Sequence, residues 1–273
     1  MSKIVFLDID GTIRGFDGKV PETAIRAIRQ ARENGHEVLI SSGRPLCQIE
    51  PRILDIGFDG IISGSGSYVV YRGQCIRYEY FPRDFYEEIT EALLANRCLM
   101  ELHRHDKSCI IQSQLADYEQ LVLGIQALLG KDAKKIVEMP SIVENAAALD
   151  KVEKILYFSD DFSNDDILAR WGGRLYVVPL SFPNTRRWGG EISLASVNKA
   201  KGIECVLAAA GCSKEDTVAV GDSENDIEML ELAGLGIAMG NGTPAVKAAA
   251  DALTDSVEND GLYKAFVMAG LIS

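Results

Sequence analysis

The chain has 273 residues, of which 47% are hydrophobic and 25% charged, and 28 Lys and Arg against 40 Asp and Glu give a formal net charge of −12. That is ordinary globular composition, enough for one large core or two smaller ones, and the acidity argues against nucleic acid or a membrane surface as partner, since both require clustered basic residues. A phosphorylated ligand stays compatible with it, because charges are screened over about 8 Å at physiological salt, but any phosphate site then needs local positive charge.

At the amino end Ile4-Val5-Phe6-Leu7 reads as a buried strand that reaches Asp8 after four apolar residues, too few for an export leader or a membrane anchor. A helix is expected from about Pro21, with Ala24, Ile25, Ala27, Ile28 and Ala31 turned inward and Gly35 as its stop. Glu37-Val38-Leu39-Ile40 and the run from Phe58 to Ser63 follow as strands. Strands alternating with amphipathic helices predict right-handed βαβ crossovers and a parallel sheet covered on both faces.

From about Phe81 the texture changes to an α+β pattern. A helix is expected from Asp84 to Ala95, then a hairpin from Leu99 to Gln112 turning at His105-Asp106-Lys107-Ser108, and a long helix from Gln114 to Gly130. A strand from Val152 to Ser159, a helix from Asn164 to Trp171 and a strand from Arg174 to Val178 complete this unit. It reads as an inserted domain spanning 81–187, with hinges near Tyr80-Pro82 and Ser181-Pro183. The flanking segments, 1–80 and 188–273, would form one doubly wound α/β core, because Thr217-Val218-Ala219-Val220 and Leu235-Gly236-Ile237-Ala238-Met239 return to the grammar of the first strands. Six cysteines, Cys47, Cys75, Cys98, Cys109, Cys205 and Cys212, show no CxxC pairing. They are read as reduced packing residues of a cytoplasmic protein, which would be a monomer or homodimer.

Three loops carry chemistry. Asp8-Ile9-Asp10-Gly11-Thr12 ends the first strand, and the two aspartates can share the crevice beyond it only if the chain turns there, which Gly11 permits. One carboxylate can attack phosphorus while the second donates a proton to the leaving oxygen and later takes one from water. Gly221-Asp222-Ser223-Glu224-Asn225-Asp226 ends another buried strand, and Asp8, Asp222 and Asp226 would gather the oxygen ligands that magnesium prefers. The same acids would also suit a helix N-terminus. Ser41-Ser42-Gly43-Arg44 offers a hydroxyl and backbone amides for phosphate oxygens, or an N-cap and a turn glycine. The positive charge is to be sought in Lys199 or Lys201. His103 and His105, two apart on a strand of the inserted domain, could meet substrate, but partly exposed strand histidines is the plainer reading; Trp171 and Trp188 are read as packing anchors.

The motifs DIDGT, SSGR, a lysine followed by glycine, and GDSEND, in that order, resemble those of the haloacid dehalogenase (HAD) phosphatases. The ending Gly240-Asn241-Gly242-Thr243-Pro244 through Asn259-Asp260-Gly261 is similar to the Cof-like branch, which carries a large α/β cap (C2B type) between its second and third motifs. The resemblance implies a Rossmann-like HAD core with an inserted α+β cap, Asp8 as nucleophile and Asp10 as acid and base. It implies magnesium held by Asp8, the Asp10 carbonyl, Asp222 and Asp226, and phosphate contacts from Ile9, Ser42, Gly43, Lys201 and Asn225. Lys201 becomes the third-motif lysine because Gly202 follows it. Ser63-Gly64-Ser65-Gly66-Ser67 departs from the Asn-Gly-Ala frequent in relatives. The function implied is a phosphatase acting on a small phosphorylated metabolite, with a phosphomutase or a non-catalytic phosphate-sensing module as alternatives.

Overall fold

The computed structural model describes residues 2–129, 139–180 and 188–273. Two compact units result, one of Met1–Tyr78 with Val197–Ser273 and the other of Glu79–Ser196. The first segment of the first unit contains β1 (Ile4–Leu7), α1 (Glu22–Glu33), β2 (Glu37–Ser41), α2 (Pro51–Leu54), β3 (Gly60–Ser63), β4 (Tyr68–Tyr71) and β5 (Gln74–Tyr78). β1 pairs in parallel with β2 and β2 with β3, as the alternation of strands and helices requires. β4 and β5 form an antiparallel hairpin on the edge, which the sequence reading did not contain. Its turn uses Arg72 (φ 48°) and Gly73 (φ 78°), both left-handed, the backbone that matches the twist of paired strands. Arginine in the first of these positions lacks the usual Asn-Gly signature.

The second unit holds α3 (Arg83–Ala95), β6 (Leu99–His103), β7 (Ser108–Ile111), α4 (Leu115–Leu129), β8 (Ser141–Val143), β9 (Lys154–Ser159), α5 (Asn164–Trp171), β10 (Leu175–Pro179) and β11 (Trp188–Leu194). These strands make a six-stranded sheet in the order β10-β11-β9-β6-β7-β8. One face packs Met100, Leu102, Ile155, Tyr157 and Ile192 against Ile89, Leu93, Ile167 and Trp171 of α3 and α5. Leu99, Ile110 and Phe158 on the other face meet Tyr118 and Val122 of α4. The anchor role of Trp171 holds, since it is 3% exposed and its indole N–H donates to Glu88 Oε1 at 2.7 Å.

The expected return to the core at 188 is corrected. β11 pairs antiparallel with both β9 and β10, and the first unit resumes only at Val197. A Cβ at Gly190 would fall 2.6 Å from Asn164 Oδ1 and 2.9 Å from Val177 Cγ1, so glycine is there because the strand runs in close contact. At the other end Phe81 is buried in the second core and its N–H donates to Val152 O, so it belongs to the second unit as expected. The hinge expected at Ser181-Pro183 and the side chain of Trp188 lie outside the described residues.

The returning segment supplies α6 (Lys199–Ala210), β12 (Thr217–Gly221), α7 (Ile227–Leu232), β13 (Leu235–Ala238), α8 (Pro244–Ala249), β14 (Ala252–Leu253) and α9 (Gly261–Met268). The first unit's sheet has the order β14-β13-β12-β1-β2-β3-β4-β5, parallel from β14 to β3. Chain order reverses at β1, which lies between β2 and β12, and ligands of open α/β sheets bind beyond strand ends at such a switch point. Successive β1 residues face opposite layers: Val5 and Leu7 join Ala27, Ile28 and Phe266 of α1 and α9, whereas Ile4 and Phe6 join Ile203, Val206 and Met229 of α6 and α7. No helix among the described residues is long and apolar enough to cross a membrane.

α9 was not expected from the sequence, and its Phe266 is 0% exposed in the layer beside α1. Phe266→Ala will destabilise the protein by about 3–5 kcal/mol in urea unfolding, whereas Val267→Ala at a 44% exposed position stays within about 0.5 kcal/mol. Equal effects of the two substitutions would show that α9 is not part of this core.

Candidate active site

Beyond Leu7 the chain turns sharply. Gly11 takes φ +90°, and a Cβ there would lie 2.1 Å from Asp222 Oδ2, so the turn and the approach of the second acidic loop both demand glycine. Thr12 Oγ1 donates to Asp222 Oδ1 at 3.4 Å, and Asn241 Nδ2 donates to the Gly11 carbonyl at 2.8 Å while its Oδ1 accepts from Val257 N. Neither Thr12 nor Asn241 was singled out in the sequence as a support of this turn.

Asp8, Asp222 and Asp226 come together as expected, all buried, each offering a carboxylate oxygen within 4.8 Å of the others. Asp226 also closes its own loop, its Oδ2 accepting from the Asp222 and Ser223 amides at 2.9 and 3.0 Å. The capping role and the cluster role of this acid are therefore both present, one on each oxygen.

The cation in this cluster is Lys199, which corrects the assignment to Lys201. Lys199 is 1% exposed, and its Nζ donates to Asp8 Oδ1 at 2.6 Å and to Asp226 Oδ1. Lys201 is half exposed and pairs with Glu204 at 2.9 Å. Both residues sit at the start of α6, where positions two apart point about 200° away from each other, so only one can face β1. Gly202 decides which, since a Cβ there would stand 2.5 Å from Ile62 Cγ2; the helix lies flat on β3 and turns Lys199 inward. The following glycine is a packing contact of the helix and not a marker of the preceding lysine.

Asp10 points another way. Its Oδ2 accepts from Arg44 Nε at 2.6 Å, and its Oδ1 accepts from Arg44 Nη2 at 3.2 Å and from Arg14 Nη2. Arg14 also donates to Glu50. Ser42 is buried, its hydroxyl accepting from the Arg44 amide at 3.2 Å. A Cβ on Gly43 would lie 3.3 Å from Asn225 Nδ2 and 3.5 Å from Ser65 Oγ, so Gly43, Asn225 and Ser65 are neighbours. Ile9 is buried, with its carbonyl accepting from the Thr12 and Arg14 amides.

Two readings outside this cluster change. His103 is 3% exposed and its Nε2 lies 3.0 Å from Glu101 Oε1, so it is an interior residue of the second unit and not a partly exposed strand histidine. Among the cysteines Cys98 and Cys109 are buried packing residues as expected, but Cys75 is exposed on β5.

Electrostatically the cluster is overloaded with negative charge. Burial, with the charges of Asp226 and Asp222, pushes Asp8 up to about 8 against the downward pull of Lys199. Burial and the Asp226 charge push Asp222 up to about 7. Lys199 would lose its proton more easily through burial alone, but Asp226 and Asp8 outweigh that and raise it. For Asp10 burial is likewise outweighed, because Arg44 and Arg14 hold its carboxyl below the ordinary carboxylate range. One lysine does not neutralise three buried carboxylates, and an all-oxygen donor set fits a hard divalent cation such as magnesium.

Residues 5–266 match the haloacid dehalogenase-like hydrolase family. The chain is 28% identical to the pyridoxal phosphate phosphatase YbhA of Escherichia coli over 99% of each chain. It is also 28% identical to the 5-amino-6-(5-phospho-D-ribitylamino)uracil phosphatase YitU of Bacillus subtilis, over 96% of this chain and 95% of that one. The crystal structure of a Geobacillus kaustophilus protein superposes with a TM-score of 0.86 at 26% identity, covering 100% of both chains.

The raised pKa values give a signed pH dependence. In the folded state Asp8 and Asp222 keep protons that the unfolded chain releases near 3.8, so the metal-free protein loses stability as pH rises from about 4 towards 8. Thermal melts in chelator will show Asp222→Asn losing less stability than the wild type between pH 5 and pH 8, and added magnesium will stabilise the wild type more at pH 8 than at pH 5. An unchanged pH slope in Asp222→Asn would show that this carboxyl is not its source.

Proposed function

The chain belongs to the haloacid dehalogenase-like hydrolases, and from that premise we propose that it is a magnesium-dependent phosphatase of small phosphorylated metabolites working through an aspartyl-phosphate on Asp8. The observation that supports this most directly is the convergence of Asp8, Lys199, Asp222 and Asp226 at the ends of β1 and β12, with Asp10 beside them on the turn. A binding module would need neither a buried nucleophile nor a second aspartate held apart from it. YbhA and YitU are both named for phosphate monoesters of small metabolites, and a phosphate monoester is the proposed substrate class here.

In the proposed cycle an Asp8 carboxylate oxygen attacks phosphorus, and the bond from phosphorus to the ester oxygen breaks. That oxygen keeps the electron pair and takes a proton from Asp10. Water then attacks the phosphoryl group, Asp10 recovers a proton from it, and phosphate leaves Asp8. Lys199 offsets the charge of Asp8 and orients its carboxylate; the Ile9 and Gly43 amides, the Ser42 hydroxyl and the Asn225 amide receive phosphate oxygens. Asp8, the Asp10 carbonyl, Asp222 and Asp226 would hold magnesium, which when bound supplies positive charge to the transferring group.

Purified Asp8→Asn will lack turnover of phosphate monoesters while remaining folded by circular dichroism. Lys199→Met will lower kcat/KM by at least about 10²-fold, and Lys201→Ala will stay within about twofold, as a surface substitution does. The reverse order of the two lysines would overturn the assignment made here. Excess chelator will abolish activity and magnesium will restore it; full activity in chelator would exclude the metal role.

A further inference from the structure

We propose that Asn241 is a positioning residue that holds the two acidic loops at the spacing a divalent cation requires, and thereby sets the affinity of the crevice for magnesium. The inference rests on the metal role of Asp8, Asp222 and Asp226 proposed above. Asn241 lies in the stretch 240–243 between β13 and α8, outside both loops. Its Nδ2 donates to the Gly11 carbonyl at 2.8 Å, one residue past Asp10. Two residues further on, the Thr243 amide donates to the Asp222 carbonyl at 3.0 Å. A single short stretch therefore grips the backbone of both acidic loops, and Thr12 Oγ1 adds a direct link from the first loop to Asp222 Oδ1.

The grip is itself anchored. Asn241 Oδ1 accepts from the Val257 amide at 3.0 Å, and Val257 is buried in the layer of α1 and α9. A carbonyl only accepts and an amide N–H only donates, so these two neighbours fix which end of the side-chain amide faces which. The oxygen, the atom that could serve a cation, is turned to Val257. The Gly240 amide donates to Asp255 O at 3.0 Å, and the Gly240 carbonyl accepts from Lys247 Nζ at 2.6 Å. Gly242 lets the stretch approach, since a Cβ there would stand 3.1 Å from the Asp222 carbonyl oxygen. Three carboxylates offering oxygens within 4.8 Å of one another repel. Loops free to relieve that repulsion would spread, and the work of drawing them together again would be subtracted from cation binding. Asn241 shifts that work into the folding of the first unit, so the site is already aligned when the cation arrives.

The test is calorimetric titration of magnesium chloride into the metal-stripped protein, with the magnesium dependence of p-nitrophenyl phosphate hydrolysis measured beside it. Asn241→Ala is expected to raise the dissociation constant for magnesium by about 10- to 100-fold, the range found when a support of metal ligands is lost. Its kcat at saturating magnesium will stay within about threefold of the wild type, because the loaded site keeps every reacting group. Asn241→Asp separates alignment from charge. It keeps an acceptor for Val257 and loses the donor to Gly11, yet it adds a negative charge that by itself would strengthen cation binding. Weaker magnesium binding in this variant therefore reports lost alignment. Circular dichroism establishes folding, and if Asn241→Ala fails to fold, Asn241→Asp decides. Magnesium affinity within about twofold of the wild type in the deciding variant, or a loss of kcat that saturating magnesium does not restore, overturns the proposal while leaving the phosphatase reading standing. Wild-type protein that binds no magnesium overturns the proposal together with the metal role on which it rests.

Discussion

Three buried carboxylates around one buried ammonium is the constraint from which the rest of the first unit follows. Transferring any of these charges out of water unpaired is costly, and removing one partner of a buried pair leaves an uncompensated ion. Lys199 makes the gathering of Asp8 and Asp226 tolerable, and it reaches them because α6 lies close on β3. The lysine does not complete the neutralisation. The surplus negative charge appears as raised carboxyl pKa values at Asp8 and Asp222.

Asp10 lives in the opposite electrostatic regime although only Ile9 separates it from Asp8. The turn at Gly11 sends it to a rim where Arg14 and Arg44 supply two guanidinium groups and Glu50 balances them. Two aspartates two residues apart thus meet different neighbours, one facing carboxylates in a dry interior and the other facing cations at a partly wet edge.

Much of this was legible in the residues. The β-branched runs of β1, β2, β12 and β13 named the sheet, and the acidic residues just past β1 and β12 named the crevice, because a buried parallel strand has one polar end and that end is where chemistry collects. The lysine was not legible, since Lys199 and Lys201 differ only in which way the first turn of α6 faces, and that is fixed by a contact with Ile62 far away in sequence. β11 was assigned to the wrong unit because the boundary was placed at the Ser181-Pro183 segment and no strand was read after it; Gly190 serves a close approach to α5 and β10. The β4–β5 hairpin escaped because an arginine occupies a left-handed turn position where Asn or Gly is the familiar signal.

β1 also has a temporal history. Its two partners come from distant parts of the chain: β2 follows within a few dozen residues, whereas the loop after β12 is about 210 positions away, as the Thr12–Asp222 hydrogen bond spans. At ribosomal speeds of about 5–20 residues per second, roughly 10–40 s separate synthesis of the two strands. Through that interval the nascent half-sheet presents Ile4-Val5-Phe6-Leu7 as an unpaired apolar edge, the feature that templates aggregation. The second unit, contiguous in sequence and dominated by antiparallel pairing, is free to complete itself first. The central strand of the first unit is therefore the earliest made and among the last satisfied, which makes the newborn chain a candidate for chaperone shelter.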